Sequence, residues 1–441
     1  MHEGSSPPET ALELAFGRGA LHLTLPPEAK PTVLRKAALP KLPDNLAGIR
    51  HAFEHPVGSA PLTELAKGCA SACILICDIT RPVPNGVFLR PMIETLIAAG
   101  IPASAITVLV ATGLHRPNEG EELAELVGDP WVLENVRVEN HFARDEAAHV
   151  DLGPTSTRGT PVFIDRRFAQ AELRIATGLV EPHFMAGWSG GRKVVAPGVA
   201  GHQTIRTFHS ARFMEDPLAV QCNLVGNPLH EEQLEIVRKL GEVYALNTVL
   251  DEERDLVFVS FGEIIASHLA AVAFVESSTV IEAPRRYHTV VTSSAGYPLD
   301  KTYYQTVKGM VTPLDILEPG GTLIIASECS EGFGSEEFRA AQERLVELGP
   351  ERFLATLTAK TLADVDEWQT EMQLKPMRVG RIQLHTTGLT PEERRITAVE
   401  IVPDLNEAIA ASLARSGDNA LAIIPEGPYV IPVCRDRQAA A

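Results

Sequence analysis

At 441 residues, 45% hydrophobic, 22% charged and 5% aromatic, the chain has the composition of a globular α/β protein too long for one ordinary core, which excludes a disordered or collagen-like polymer. A formal charge of −18 and a pI near 5.3 exclude a nucleic-acid surface, which needs clustered Lys and Arg, and leave a small ligand as the expected partner. The apolar runs, such as ALAIIP from Ala420 and LIIA from Leu323, are strand-sized against the ~20 residues of a membrane helix, so no membrane partner is expected.

In chain order, MHEGSSPPET has no basic region followed by an apolar stretch, so no signal peptide and a cytoplasmic compartment are expected. Leu12 to Leu25 alternate as a hairpin does, and the Pro-rich span from Pro26 to Pro43 reads as an extended connector. ACILICD (Ala72 to Asp78) is predicted as a buried strand, followed by a turn over 81–86 and a helix from about Phe88 to Ala99; AITVLVAT (Ala105 to Thr112) is the next strand. This order implies parallel strands with right-handed crossovers, and in such sheets ligands collect at the strands' carboxyl ends. Asp78 and Arg81 follow the first strand and His115 the second, and a third strand, LRIATGLV (Leu173 to Val180), delivers Glu181 and His183 to the same rim. Three successive strand ends with ionisable groups point to a catalytic rim.

The segment from Glu181 to His209 is the densest in reactive groups: His183, Gly190, Gly191, Arg192, Lys193 and His209 fall around glycines that permit a turn. GWSGGRK suggests a loop whose amides and lysine receive a phosphate, but the nucleotide-triphosphate pattern requires four residues between its glycines and Ser or Thr after the Lys, where Val194 stands here. His115, His183 and His209 are open as general bases, metal ligands or structural histidines. HExxH and the zinc-deaminase pattern are absent, which leaves only a dispersed zinc site. Arg81 either clamps a carboxylate bidentately or pairs with Asp78.

A second domain is expected near Ala283. It has a strand over about 288–292, a glycine turn at Gly296 and a helix from about Thr302 on which Gln305 and Lys308 share a face, projecting toward the first domain or into solvent. Gly320 to Ser335 repeats the theme, helices follow over 336–348 and 406–414, and ALAIIP is the last strand. The expected division is 1–282, 283–415, and a terminal segment 416–441 that can return to the first domain. GxGxxG is missing, with Glu337 in the third glycine's place, so NAD held in the ordinary manner is not expected. The six cysteines lack zinc-like spacing and read as reduced, mostly buried thiols.

Taken together, DITRP (Asp78 to Pro82), ATGLHRP (Ala111 to Pro117), EPHFMAGWSGGRK (Glu181 to Lys193), His209 and YQTVKG (Tyr304 to Gly309) resemble the lactate racemase family that depends on a nickel-pincer nucleotide. Five separated motifs in family order make the resemblance specific. It implies two α/β domains with parallel-type sheets, an interdomain active-site cleft, and a tethered cofactor derived from nicotinic acid: the nickel complex of pyridinium-3-thioamide-5-thiocarboxylic acid mononucleotide. By motif, Lys193 binds it covalently and His209 is the protein ligand to nickel. His115 and His183 are the acid/base pair; Arg81, Gln305 and Lys308 hold the substrate carboxylate and oxygen; Asp78 lies in the same cluster and can orient His115. Gly190, Gly191 and Arg192 approach the cofactor phosphate.

The activity so implied is racemisation or epimerisation of a 2-hydroxy acid. One histidine takes the hydroxyl proton as hydride leaves to the cofactor, and a planar 2-keto acid turns over before hydride returns to its other face. Enzymes that make the cofactor are implied as transient partners. Trp188 and Met185 are positions where side-chain size could alter the pocket, which leaves lactate, malate, aryl-lactates and sugar acids open as substrates. Two readings compete: a zinc-assisted hydrolase or lyase using the same histidines, and a non-catalytic carboxylate-binding protein built around Arg81.

Overall fold

Continuous apolar runs such as ACILIC and ITVLVA become strands covered on both faces, which is why they carry no polar alternation. The computed structural model describes residues 12–251 and 253–434, so the leader reading of Met1 to Thr10 lies outside the described residues. The described chain divides into two units. One comprises 38–278 with 360–363; the other comprises 12–37, 279–359 and 364–434.

The 38–278 unit is built on a six-stranded sheet in the order Leu256–Glu263, Tyr244–Leu250, Leu173–Leu179, Ala72–Cys77, Ile106–Ala111, Arg137–Asn140. All neighbours are parallel except the outer pair Tyr244–Leu250 and Leu256–Glu263. From Ala72–Cys77 the chain builds outward to Arg137–Asn140, then returns to the other side of its starting strand with Leu173–Leu179. The order therefore reverses between those two strands, and a crevice opens past their carboxyl ends. Ile74, Ile76, Val108 and Val110 pack with Phe88 and Met92 of the helix Asn85–Ala98 in a fully buried cluster that joins the helix to the sheet.

The other unit carries an all-parallel sheet in the order Glu400–Ile401, Arg381–His385, Leu317–Ala326, Tyr287–Ser293, Ala420–Ile424, Lys30–Val33. The expected hairpin is present as Glu13–Phe16 with Gly19–His22, but it belongs here rather than to the first domain. Two expectations are corrected. The Pro-rich connector contains the strand Lys30–Val33, which tolerates Pro31 because it lies at the sheet edge, where a missing ladder donor does no harm. The described part of 416–441 does not return to the first domain: Ala420–Ile424 is an inner strand here, and Ile431–Val433 pairs with Val280–Glu282. The cysteines are free, but two are buried and four half-buried, so "mostly buried" is corrected too; burial pushes the Cys77 thiol up to about 11.

Among the described residues, no helix is long and apolar enough to cross a membrane.

Candidate active site

The crevice in the 38–278 unit collects most of the expected residues from three strand ends. Asp78 directly follows Ala72–Cys77, and its carboxylate accepts from the Thr80 hydroxyl at 2.6 Å. Its other oxygen lies 2.6 Å from His115 Nδ1. Burial by itself would raise the Asp78 pKa, but the hydrogen bonds from His115 and Thr80 and the nearby Arg81 charge outweigh it and hold the carboxyl below its ordinary value. An ionised carboxylate only accepts, so Nδ1 carries the hydrogen and the lone pair of a neutral His115 falls on Nε2. The His115 side chain is 57% exposed, so the lone pair belongs to a ring that solvent and ligands can reach.

His183 is held in the opposite way. It sits in a two-residue strand, Pro182–His183, paired antiparallel with Gly187–Trp188, so 184–186 form the hairpin tip. The N–H groups of Ala186 and Met185 approach His183 Nδ1 at 3.2 and 3.4 Å. Nδ1 is thus the acceptor, and the hydrogen of the neutral ring falls on Nε2. The tip is braced by Asn227, whose side-chain amide donates to the Met185 carbonyl at 2.9 Å. His183 is 7% exposed. One imidazole is set to accept a proton and the other to give one.

Arg81 does not take Asp78 as its side-chain partner. Its guanidinium pairs with Glu181, two residues past the strand Leu173–Leu179 across the crevice. Both are roughly three-quarters buried, a setting in which a carboxylate ligand could compete for the arginine.

The glycine loop lies against the strand Leu173–Leu179. Gly190 has φ +79°, and a Cβ there would come within 2.6 Å of Val180 Cγ2, so no other residue fits. The Gly191 amide donates to the Asn247 side-chain oxygen at 2.9 Å, which ties the turn to the neighbouring strand. Lys193 follows on the short helix Arg192–Val195 and is half-buried. Arg192 turns inward at 1% exposure: its Nη2 donates to the Ala186 carbonyl and its Nη1 stands 2.8 Å from His268 Nε2. Trp188 is also interior, packed among Val180, Val249 and Val275, which corrects its reading as a pocket residue: an indole at 1% exposure is core.

His209 closes the helix His202–Phe208. Its Nδ1 donates to the Ile205 carbonyl at 2.8 Å, so the lone pair of the neutral ring lies on Nε2. Burial, with a smaller contribution from the Lys193 charge, pushes its pKa down to about 4. A buried imidazole kept neutral, with its proton fixed on the far nitrogen, meets the requirement for a metal ligand of the nickel type.

Gln305 and Lys308 lie in the other unit, one turn apart on the helix Tyr303–Val311, whose N-cap Thr302 accepts from the Gln305 amide. Sequence reading did not find Asn247 and His268, which act on the glycine loop from strand and helix positions far along the chain. The available signal was a polar residue inside each of the apolar runs YALNTVL and IIASHLAAVAF. Among the described residues, the three side chains that bring metal-ligand atoms within 4.8 Å of one another are Asp251, Glu253 and Asp255, around the Lys41 ammonium; His115, His183 and His209 form no such group.

Comparison with known proteins shows the family. The family model for the lactate racemase N-terminal domain matches residues 16–221, and that for the lactate racemase C-terminal domain matches 283–432. The chain is 31% identical over 387 residues to the lactate racemase of Lactiplantibacillus plantarum, covering 87% of this chain and 90% of that protein. It is 31% identical over 428 residues to the lactate racemase of Thermoanaerobacterium thermosaccharolyticum, covering 95% and 98%. The solved structure of the latter's apoprotein superposes with a TM-score of 0.89 at 28% identity, over 97% of this chain and all of that one. A Thermotoga maritima protein of 18% identity shares the fold alone, with a TM-score of 0.64 over 85% of this chain and 96% of that one. With two domain models matched in order and nearly full-length relatives at this identity, the chain belongs to the lactate racemase family and is an isomerase.

Proposed function

We propose that this protein racemises or epimerises a small 2-hydroxy acid with a nickel-pincer nucleotide attached at Lys193 and ligated by His209. The observation that carries the reading is the pair of opposite tautomers at one crevice: His115 presents a lone pair on Nε2, His183 a hydrogen on Nε2. Mirror-related substrates require one base and one acid whose roles exchange when the reaction runs the other way.

When bound, the pincer nucleotide supplies the hydride acceptor and donor that lets the substrate pass through a 2-keto acid. The chain's own residues do the rest. For one enantiomer, the His115 Nε2 lone pair removes the hydroxyl proton, and the Asp78 carboxylate stabilises the imidazolium that forms. His183 then gives its Nε2 proton to the oxygen when the opposite configuration is completed, and the proton taken up by the solvent-exposed His115 is returned to His183 through water, which restores both neutral rings. Arg81 exchanges Glu181 for the substrate carboxylate and keeps the anion from leaving; Gln305 and Lys308 are proposed to hold the same carboxylate and oxygen. His209 stays neutral and keeps its Nε2 lone pair for the metal. Gly190 and Gly191 let the backbone come close to the nucleotide.

The test is a screen of D and L hydroxy acids (lactate, malate, phenyllactate and a sugar acid) with cofactor-loaded protein, following inversion by chiral chromatography beside intact mass. Inversion of at least one acid with an adduct on Lys193 is expected. Loaded protein that inverts none, or active protein without the adduct, overturns the reading.

A further inference from the structure

Arg192 is a fully buried guanidinium that forms no ion pair among the described residues. An unpaired buried cation is costly, and a site that needed only packing would be filled more cheaply by an apolar side chain. What the guanidinium touches gives the reason for it. Its Nη2 donates to the carbonyl of Ala186 at 2.9 Å, and that carbonyl also accepts from the Trp188 N–H at 3.0 Å. The N–H of the same residue, Ala186, donates to His183 Nδ1 at 3.2 Å. The carbonyl clamp therefore anchors Ala186 on one side of its Cα, while the N–H on the other side of that Cα is aimed at the imidazole.

The second guanidinium contact steers the first. Nη1 stands 2.8 Å from His268 Nε2, and that nitrogen is also 2.9 Å from the Ser189 carbonyl. Burial drives the His268 pKa well below its ordinary value, so the ring is neutral and its single proton decides which contact is a hydrogen bond. With the proton on Nδ1, Nε2 accepts from Arg192 and completes a brace from the helix Ile264–Thr279 to the hairpin tip.

We propose that Arg192 is a positioning residue for His183, acting through the backbone of Ala186 to keep the imidazole in its Nε2–H form, rather than a contact to the cofactor phosphate. The inference rests on the reading of His183 as an acid/base, but not on any turnover. Arg192 directly precedes Lys193, so one turn of chain would both carry the attachment point and set the tautomer of the acid that works beside it.

The experiment uses the full chain without cofactor, with ¹⁵N-labelled histidine, and reads the tautomer of His183 from its two ring nitrogens, assigned by loss of the signals in H183Q. The parent is expected to hold Nδ1 unprotonated and Nε2 protonated. In R192M and R192Q, neither of which can donate to the Ala186 carbonyl as arginine does, the single-tautomer signature should be lost and both nitrogens should move toward intermediate shifts. Two variants guard against one failing to fold, which thermal unfolding reports. A folded variant that keeps the parent signature overturns the proposal, as does a parent with the hydrogen on Nδ1. A third arm loads the variants: if Arg192 instead grips the phosphate, the Lys193 adduct seen by intact mass will fall while the tautomer stays, which also overturns it. Failure of the racemase reading would appear separately, as loaded parent protein that inverts nothing.

Discussion

The Asp78–His115 rim and the His183 hairpin orient two imidazoles by opposite means. At the rim a carboxylate does it, on a ring that is 57% exposed; in the hairpin two backbone amides do it, on a ring that is 7% exposed. The difference follows from burial. A carboxylate against an interior imidazole would favour the charged ring, whereas an amide orients the ring without adding charge. The rim therefore presents a base backed by a counter-ion, and the hairpin a neutral acid.

Removing either ring should have the largest effect on that contrast. His115→Ala and His183→Ala are each expected to lower kcat by roughly 10²–10⁴-fold, the usual range for a general acid or base. Chiral chromatography on protein whose Lys193 adduct is verified by mass measures it; a variant within a few-fold of the parent would remove that histidine from the mechanism.

Asp78→Asn tests the rim without deleting its ring. Its amide can donate to Nδ1 and so favours the wrong tautomer, and a loss of about 10²-fold is expected, larger than any change in KM. An unchanged kcat would mean that the carboxylate does not orient His115.

Acid should separate the rim from two buried histidines outside both regions, His209 and, on the helix Pro228–Leu240, His230, in the cofactor-free protein. Burial holds His209 at about 4 and His230 at about 3 in the folded state, against 6.5 for an ordinary histidine. With folded values depressed, their stabilisation is fully present above pH 6.5 and is lost as the pH falls through the window down to those values. Each such group contributes a slope of up to ~1.4 kcal/mol per pH unit there. Asp78, whose folded value lies below 3.8, adds a loss only under that pH. Urea unfolding from pH 7 to 4.5 should show the decline; a flat profile would argue against neutral interior histidines.

The smallest expected effect is at Trp188. As a core residue, Trp188→Phe should cost about 1–2 kcal/mol of unfolding free energy and leave substrate preference alone. A changed order among the hydroxy acids would return the indole to the pocket.

Much of the site was legible because its logic is local. Asp78, His115 and His183 each stand just past an apolar strand-sized run, and parallel crossovers bring such positions to one rim. Thr302 before Gln305 and Lys308 marks a helix start, which the structure places at Tyr303. The partner of Arg81 was not legible: Asp78 is near in sequence, but the carboxylate facing it comes from Glu181 on the other side of the strand-order reversal.

The amino-acid order by itself determined the two α/β sheets, the turn that only glycine permits at Gly190, and the set of ionisable residues at the strand ends, because periodicity, turn chemistry and crossover handedness act over short stretches. Only the tertiary structure decided that Lys30–Val33 completes the sheet of the other unit, that Arg192 and Trp188 face inward, and that the two imidazoles carry their hydrogens on different nitrogens. Those outcomes depend on which distant backbone groups meet each side chain, and burial fixes the partners only once the chain is packed.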